Sequence, residues 1–399
     1  MRRVKTSLAG SLLPLLVVTA VVLLLTLVPR SAPAEAVPTF CILCGAYGTS
    51  DFLLNVLMYV PLGYFAARKF RNSSRALIAV ISMTVAVELL QILIPGRHPT
   101  LGDVAANTLG GSLGIWMVHA WLHRPARHPR RGVHIASMVA PFMLAAGLGL
   151  TVILLEPALP QTTYYGQWTA DLGQFAHYGG QVRGVHVGTV DLPGHQLDAA
   201  ATSAVHRAAR GAPLTVEFRA GPPTRDLAPV FSVFDDHQVE VLVIGVDTDA
   251  IVIRMRRLAE TVGLHAPEVR FGSLHPPEGT ETILRFRRHD RSFCVRLEDT
   301  EECGTVATPA RGWSLFTGIS LPVWAPGFLD AAWLALLAFV TVLFASRGGR
   351  ASRGWVRRAT WLMPIVAYCA LWLLFPGDPA WVPGLAGLVT GSAGAVSLR

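Results

Sequence analysis

Long apolar stretches separated by short polar loops dominate this chain. A helix of about 20 apolar residues crosses the hydrocarbon core of a bilayer, which is about 30 Å thick. The sequence contains eight such stretches: Leu8–Val28, Phe52–Ala67, Ala76–Ile94, Leu101–Leu122, His134–Leu155, Gly327–Ser346, Ala359–Phe375 and a glycine-rich one at Ala380–Val396. Between the fifth and the sixth, no apolar run is long enough to span. The pattern therefore predicts an α-helical transmembrane bundle of about eight spans.

The segment between the fifth and sixth spans follows another pattern. Apolar and polar residues alternate with a period of two, and Gly, Pro or Asp turns separate the runs. The runs are Leu214–Phe218, Val230–Phe234, Val239–Val246, Ala250–Met255, Ile283–Phe286, Ser292–Leu297 and Gly312–Phe316. This pattern predicts an inserted all-β sandwich at residues 159–323. Five spans precede it in residues 1–158, and two or three follow it in residues 324–399.

Composition and charge support a membrane location. The 399 residues are 52% hydrophobic and 15% charged, outside the range of soluble globular domains. Basic residues cluster in every second short loop: Arg2, Arg3 and Lys5; Arg68, Lys69, Arg71 and Arg75; Arg124, Arg127, Arg130 and Arg131; Arg347, Arg350, Arg353, Arg357 and Arg358. Because basic residues beside spans stay in the cytoplasm, we predict a multi-pass cell-membrane protein with both termini cytoplasmic and residues 156–326 extracytoplasmic. The net charge of +8 then reflects topology and anionic lipid, so no nucleic-acid partner is predicted.

Two features of the sequence leave alternatives open. The first apolar stretch resembles a signal peptide, with Ala32-Pro-Ala34 or Ala34-Glu-Ala36 as cleavage sites, but its length favours a retained span. The cysteines are Cys41 and Cys44 in the first outer loop, Cys294 and Cys303 in the sandwich, and Cys369 in the seventh span. Two pairs outside the cytoplasm favour structural disulfides. Redox chemistry or metal binding at the Cys-x-x-Cys pair is the alternative, although no further ligand completes a zinc set.

Three polar pairs interrupt the second, third and fourth spans, each pair one helical turn apart. The pairs are Asp51 with Asn55, Glu88 with Gln91, and Asp103 with Asn107; Arg97 lies in the turn between the third and fourth spans. Counting along the spans places all of them at the same membrane depth, near the outer edge. Lipid does not tolerate such groups, so we expect them to face one another, a cavity or water. We interpret the seven residues as one functional polar cluster.

Some members of the cluster also have a purely structural interpretation. Asp51 and Asp103 begin helices, where the helix dipole favours an acidic residue, and Thr100 with Asp103 resembles a capping box. Glu88 lies about two turns inside an apolar helix and gains nothing from the dipole. We therefore expect an ion pair of Arg97 with Glu88 or Asp103, held in place by the neighbouring amides.

These residues resemble the signature of the VanZ-like membrane proteins. The matching pattern is Asp51-x3-Asn55, Pro61-Leu-Gly63, Glu88-x2-Gln91, Arg97 and Asp103-x3-Asn107-Thr-x-Gly110-Gly, and the resemblance covers roughly Leu8–Leu122. The resemblance implies a small helical membrane domain whose signature residues form one site. In the founding case it is associated with resistance to teicoplanin, a lipid-tailed glycopeptide. The sandwich and the three further spans depart from that family.

The order of strands in the sandwich resembles a concanavalin A-like or laminin-G-like jelly roll. That resemblance implies binding of carbohydrate or a cell-surface ligand, often with calcium. Asp235, Asp236, Asp247 and Asp249 offer oxygen ligands, although turns also use aspartate for conformational reasons. No cofactor is predicted beyond this calcium alternative. Trp168, Tyr164, Tyr165 and Trp313 could stack on sugars or belong to the core.

The sequence favours a binding protein over an enzyme. It contains no Gly-x-Ser-x-Gly, P-loop, His-Glu-x-x-His or dinucleotide-binding turn. We therefore predict an envelope protein that recognises a cell-wall glycan or lipid-linked precursor, with membrane lipid as a further partner. A membrane enzyme that uses Glu88 and Asp103 as acid–base groups is the alternative, as is a thiol-redox protein. A transporter is disfavoured because its polar site would lie at the membrane midplane.

Overall fold

The chain folds into two compact units, seen in a computed structural model. The structure describes residues 9–29, 40–122, 129–170, 175–248, 250–318, 325–347, 362, 364–369 and 381–397. The first unit is Met1–Arg127 together with Val262–His265, and the second is His128–Thr261 with Ala266–Arg399.

The first unit is helical. Its helices are α1 (Ala9–Leu27), α2 (Gly48–Phe70), α3 (Ser73–Gln91) and α4 (Leu101–Leu122). Local signals fix the tight connection between α2 and α3. Arg71 adopts a left-handed conformation and donates its N–H to the carbonyl of Ala67, which ends α2. The side chain of Asn72 then accepts a hydrogen bond from the N–H of Arg75, which begins α3.

Three helices of the described residues are long and apolar enough to cross a membrane. They are Gly48–Phe70, Ser73–Gln91 and Ala325–Val342; shorter apolar helices cover Leu12–Leu27 and Phe142–Leu154. The helical character of the N-terminal region is therefore confirmed. The number of eight spans remains a prediction, since much of Ala359–Phe375 lies outside the described residues.

Glycines bring α2 and α4 into backbone contact. A Cβ atom at Gly110 would lie 2.1 Å from the carbonyl oxygen of Val56, and one at Gly114 would lie 2.1 Å from that of Val60. Residues four apart in α4 thus contact residues four apart in α2, in the same order along the chain. The two helices therefore run in parallel. Residues this small permit the closest approach of helices in a membrane.

The second unit contains an antiparallel β-sandwich, as predicted. Its strands are β1 (Tyr165–Trp168), β2 (Gln181–Val187), β3 (Val190–Asp191), β4 (Leu214–Arg219), β5 (Ala228–Phe234), β6 (Glu240–Val246), β7 (Ile251–Met255), β8 (Val269–Phe271), β9 (Glu281–His289), β10 (Ser292–Leu297) and β11 (Thr300–Thr305). One sheet has the order β1-β5-β6-β7-β8 and the other β11-β10-β9-β4-β2-β3. Both sheets contribute to one apolar core, and two helices, α6 (Ala199–Ala209) and α7 (Leu258–Thr261), join the strands.

One predicted strand is wrong. Gly312–Phe316 belongs to a 3-10 helix at Pro309–Leu315, where a proline occupies the first turn and cannot donate to a strand ladder. The predicted hairpin around the acidic stretch is present. Cys294 of β10 lies opposite Cys303 of β11, and the two form a disulfide. The disulfide between Cys41 and Cys44 is also present.

Helices of the second unit pack on one another beside the 3-10 helix. They are α5 (Pro129–Leu154), α8 (Ala325–Arg347) and α9 (Trp381–Ser397). Gly387 and Gly391 of α9 lie against the backbone of α8 at Ala331 and Ala335, which repeats the glycine contact of the first unit. The weak glycine-rich eighth stretch therefore forms a packed helix.

A buried arginine ties α5 to the sandwich. Arg257, which is 1% exposed, donates a hydrogen bond to the carbonyl of Leu155 and lies over the ring of Phe293. Burial lowers the pKa of Arg257 to about 9. Beside it, Glu156 accepts hydrogen bonds from Arg288 at 2.5 Å and from Arg291 at 3.2 Å. The chain leaving α5 is thus held by charged hydrogen bonds.

We predict that Gly114→Ala destabilises the first unit by about 1–3 kcal/mol, because its methyl group would displace α2 from α4. Thermal unfolding of the full chain in detergent measures this loss. Gly147→Ala in α5 is the control, since no atom lies within 4 Å of the added carbon. The control should be neutral or stabilising by up to about 1 kcal/mol. Equal stability of both variants would contradict the close contact.

We predict that replacing Cys294 and Cys303 together by alanine lowers the stability of the sandwich by about 2–4 kcal/mol, the usual contribution of a disulfide. Denaturant unfolding followed by tryptophan fluorescence provides the measurement. Cys369→Ala is the control, because Cys369 is a free thiol. An unchanged midpoint for the double variant would show that the hairpin is stable without its bond.

Candidate functional site

The predicted polar cluster surrounds one cavity at a single end of the first unit. α2 and α4 begin at this end, and α1 and α3 finish there. The cavity has a volume of about 260 Å³. Its lining includes all seven predicted residues: Asp51, Asn55, Glu88, Gln91, Arg97, Asp103 and Asn107. The three polar pairs of the sequence are thus brought together in the fold.

A chain of hydrogen bonds links the two inner carboxylates. Asn55 of α2 donates its amide to Asp103 Oδ1 at 2.5 Å. The hydroxyl of Thr100 donates to Asp103 Oδ2 at 2.9 Å, and the backbone N–H of Thr100 donates to Glu88 Oε2 at 3.2 Å. Thr100 also accepts the N–H of Asp103, which is the expected N-terminal cap of α4. Thr100 therefore caps α4, and the carboxylate of Asp103 belongs to the cluster.

Arg97 holds the end of α1. Its Nε donates to the carbonyl of Val28 and its Nη2 to the carbonyl of Leu25, each at 3.1 Å. The last carbonyls of a helix have no intrahelical partner, so a cation there is favourable. Glu88 receives the amide N–H of Thr100; the sequence predicts an ion pair of Arg97 with either Glu88 or Asp103, and its Asp103 form stays a prediction.

The other two amide side chains of the cluster are buried in the lining of the same cavity. Gln91 is 7% exposed and donates to the carbonyl of Thr26 at 3.0 Å. Asn107 is 2% exposed and donates to the hydroxyl of Thr84 at 2.7 Å. The partners Thr26 and Thr84 were missed in the sequence, because a threonine in an apolar stretch has no distinctive spacing.

The Cys41–Cys44 loop forms another part of the lining. Ile42 and Cys44 line the cavity, and the carbonyl of Cys41 accepts the N–H of Gly102 at 3.0 Å. A Cβ atom at Gly102 would lie 2.2 Å from the carbonyl oxygen of Ile42. The disulfide loop therefore packs against the first turn of α4, directly beside Asp103.

The aspartates suggested for calcium stabilise turns and ion pairs. Asp235 Oδ1 accepts the N–H groups of His237 and Val239, and its Oδ2 pairs with Arg256 at 2.6 Å. Burial raises the pKa of Asp235, but these hydrogen bonds outweigh burial and the net shift is downward. Asp247 accepts the N–H of Ala250 and pairs with Arg270, and Asp236 pairs with the His237 ring. Asp249 lies outside the described residues.

Three of the four aromatic candidates for sugar stacking donate hydrogen bonds within the fold, including Trp168, whose indole N–H donates to the carbonyl of Leu192 at 3.1 Å. Tyr164 is fully buried and donates its hydroxyl to the carbonyl of Pro160, and Trp313 donates its indole N–H to Asp330 at 2.7 Å. Tyr165 and Trp168 are 37% and 36% exposed on the edge strand β1. Because they are three residues apart, they point to opposite faces of that strand. They do not form a shared stacking surface.

Comparison with known proteins shows a similarity in the N-terminal helical region. The family model of VanZ/LLP1 matches residues 12–122. The N-terminal helical region is VanZ-like. This match covers α1 to α4, the helices that contribute to the cavity, and it does not extend to the β-sandwich. No curated protein matches the chain, and no solved structure does so either.

We predict that Asn55 and Asp103 are energetically coupled. Hydrogen bonds to charged groups contribute about 1.5–3 kcal/mol, so a double-mutant cycle of Asn55→Ala and Asp103→Ala should give a coupling energy of at least about 1 kcal/mol. Thermal unfolding in detergent supplies the four stabilities. Asn55→Ala combined with Asp191→Ala, in the other unit, should be additive. Additivity in both cycles would show that the bond contributes nothing.

Proposed function

We propose that this chain is an integral membrane protein of the cell envelope whose VanZ-like region binds the polar headgroup of a lipid-linked glycan or other cell-wall precursor. The single observation that supports this proposal is the convergence of seven polar side chains, from three apolar helices and one turn, on one cavity. Polar groups in apolar helices are costly unless they serve a site, and here they surround a volume that a ligand can occupy.

The size of the cavity favours a headgroup over a whole oligosaccharide. Pockets for drug-sized ligands usually measure about 300–1,000 Å³, and this cavity, at about 260 Å³, is at the small end. Apolar side chains such as Phe52, Leu54 and Met58 join the polar lining. A ligand with a polar group and an attached hydrocarbon chain combines both properties.

We further propose that the cavity opens to the exterior of the cell. The basic residues Arg68, Lys69, Arg71 and Arg75 lie at the opposite end of α2 and α3 from the cavity, and basic ends remain in the cytoplasm. In this topology both termini are cytoplasmic and the β-sandwich lies outside, where cell-wall precursors are assembled.

The similarity to VanZ indicates a biological role for this binding. The founding member of that family is associated with teicoplanin resistance, and a protein that binds a cell-wall precursor headgroup would compete with the antibiotic. We therefore propose that this chain contributes to resistance against lipid-tailed glycopeptides. We propose separately that the β-sandwich binds glycan.

Catalysis is the second candidate. Glu88 and Asp103 both line the cavity and are linked through Thr100, an arrangement that acid–base chemistry on a bound headgroup could use. Binding is favoured because the hydroxyl beside Asp103, that of Thr100, already serves as the cap of α4. Product formation from a lipid-linked precursor, lost in Glu88→Gln, would establish the enzyme.

We predict that the full chain in nanodiscs binds a lipid-linked glycan precursor and that Asn55→Leu weakens binding at least about tenfold. The substitution removes the amide that holds Asp103 and places an apolar group in the lining. Native mass spectrometry measures the bound fraction. The matched control is Asn72→Leu, which removes an asparagine and a helix cap at the other end of the bundle. Absence of binding by the unaltered chain, or an equal loss in the control, would contradict the proposal.

A further inference from the structure

The side-chain hydrogen-bond donors around the cavity are largely used within the protein. The amides of Asn55, Gln91 and Asn107 donate to Asp103, to the carbonyl of Thr26 and to the hydroxyl of Thr84 respectively. The hydroxyls follow the same pattern: Thr100 donates to Asp103, and Thr26 donates to the carbonyl of Val22. A ligand therefore meets few donors.

Acceptor atoms, by contrast, remain. Among the hydrogen bonds of the described residues, none is accepted by Glu88 Oε1, Gln91 Oε1 or Asn107 Oδ1; of these three atoms, Asn107 Oδ1 alone is fully buried. Glu88 is 7% exposed and Asn107 is 2% exposed. A buried acceptor without a donor is costly, and such atoms are usually satisfied by a partner. The bound group should therefore be a donor.

The charges of the lining point in the same direction. Three carboxylates, Asp51, Glu88 and Asp103, face the cavity together with the cation Arg97. Arg97 directs its Nε and Nη2 to the carbonyls at the end of α1. A site beside membrane helices is less screened than water, which strengthens the attraction for a positive group and the repulsion of an anion. An anion such as phosphate is therefore disfavoured as the group held directly against these carboxylates.

We propose that the group bound in this cavity is a primary ammonium, carried by an amine-bearing lipid headgroup or by an amino sugar. This inference rests on the proposed function and specifies its ligand. A primary ammonium supplies three N–H donors and one positive charge in a compact group. Glu88 takes the charge, and the side-chain carbonyl oxygen of Gln91, which also lines the cavity, accepts a further N–H group. A quaternary ammonium has the charge but no N–H donor.

The test uses the full chain in detergent with five probes. Three lipids with identical acyl chains carry ethanolamine, choline or glycerol headgroups, and two soluble sugars are glucosamine and N-acetylglucosamine. Native mass spectrometry measures lipid binding, and thermal stabilisation measures sugar binding. We expect phosphatidylethanolamine or glucosamine to bind at least about tenfold more tightly than its counterparts. Preference among the lipids assigns the amine to a lipid headgroup, and preference among the sugars assigns it to an amino sugar.

Substitutions test whether the amine binds in this cavity. Glu88→Gln keeps the shape of the side chain and should abolish the amine preference, whereas Glu278→Gln, an exposed change of the same charge in the other unit, should leave it intact. Asp51→Asn, at an exposed position in the first turn of α2, should reduce the preference without a risk to folding.

Two results overturn the inference. If choline or glycerol headgroups bind as tightly as ethanolamine, and N-acetylglucosamine binds as tightly as glucosamine, the ligand is not an amine. If the Glu88→Gln variant still prefers the amine, the amine binds at another site. In either case the proposed function still stands if the lipid-linked precursor loses affinity in Asn55→Leu but not in Asn72→Leu. Failure of that precursor to bind at all would refute the proposed function as well.

Discussion

The backbone contact between α2 and α4 is the constraint on which the site depends. Gly110 and Gly114 allow the two parallel helices to approach until a Cβ atom would no longer fit. At this separation the short side chains of Asn55 and Asp103 reach each other across the interface. Larger residues in place of the glycines would separate these groups, and the carboxylate would lose its amide donor.

Hydrogen bonding explains how an apolar bundle retains several carboxylates near one end. Glu88 receives a backbone N–H of Thr100, and Asp103 receives the Asn55 amide and the Thr100 hydroxyl. Because charged groups in a bundle are costly when they are unsolvated, such donors are required for the site to exist. Glu88 and Gln91, whose side chains retain acceptor oxygens without a donor, both line the cavity, and the proposed preference for an amine depends on these acceptors.

Much of the site was predictable from the sequence because intramembrane polar residues are rare. The spacing of Asp51 with Asn55 and of Asp103 with Asn107 placed each pair on one helical face, and counting along the spans placed them at one depth. The partner of Glu88 was not predictable. The charge argument offered Arg97 to either Glu88 or Asp103, whereas the fold brings the N–H of Thr100 to Glu88. Which backbone N–H will lie beside a side chain cannot be read from a sequence.

The fold was predictable to a similar degree. Alternation located β4 to β7, β9 and β10, but it missed β2, the short strands β1, β3 and β8, and the polar strand β11. The helix α6 was missed because its alanines carry a weak apolar signal. Gly312–Phe316 looked like a strand, yet Pro309 and the packing against Trp333 of α8 favour a 3-10 helix. The burial of Arg257 depends on the chain that leaves α5, over a hundred residues earlier, and local patterns do not contain that information.

An experimental map of the full chain in a lipid nanodisc, at a resolution that shows side chains, tests the central claim most directly. The account predicts that Asn55, Glu88, Arg97 and Asp103 surround one cavity near a single membrane face and that this face lies opposite the Arg68–Arg75 loop. It also predicts additional density beside Glu88 when ligand is present. A map in which these four side chains are scattered, or face lipid on different sides of the bundle, would contradict it.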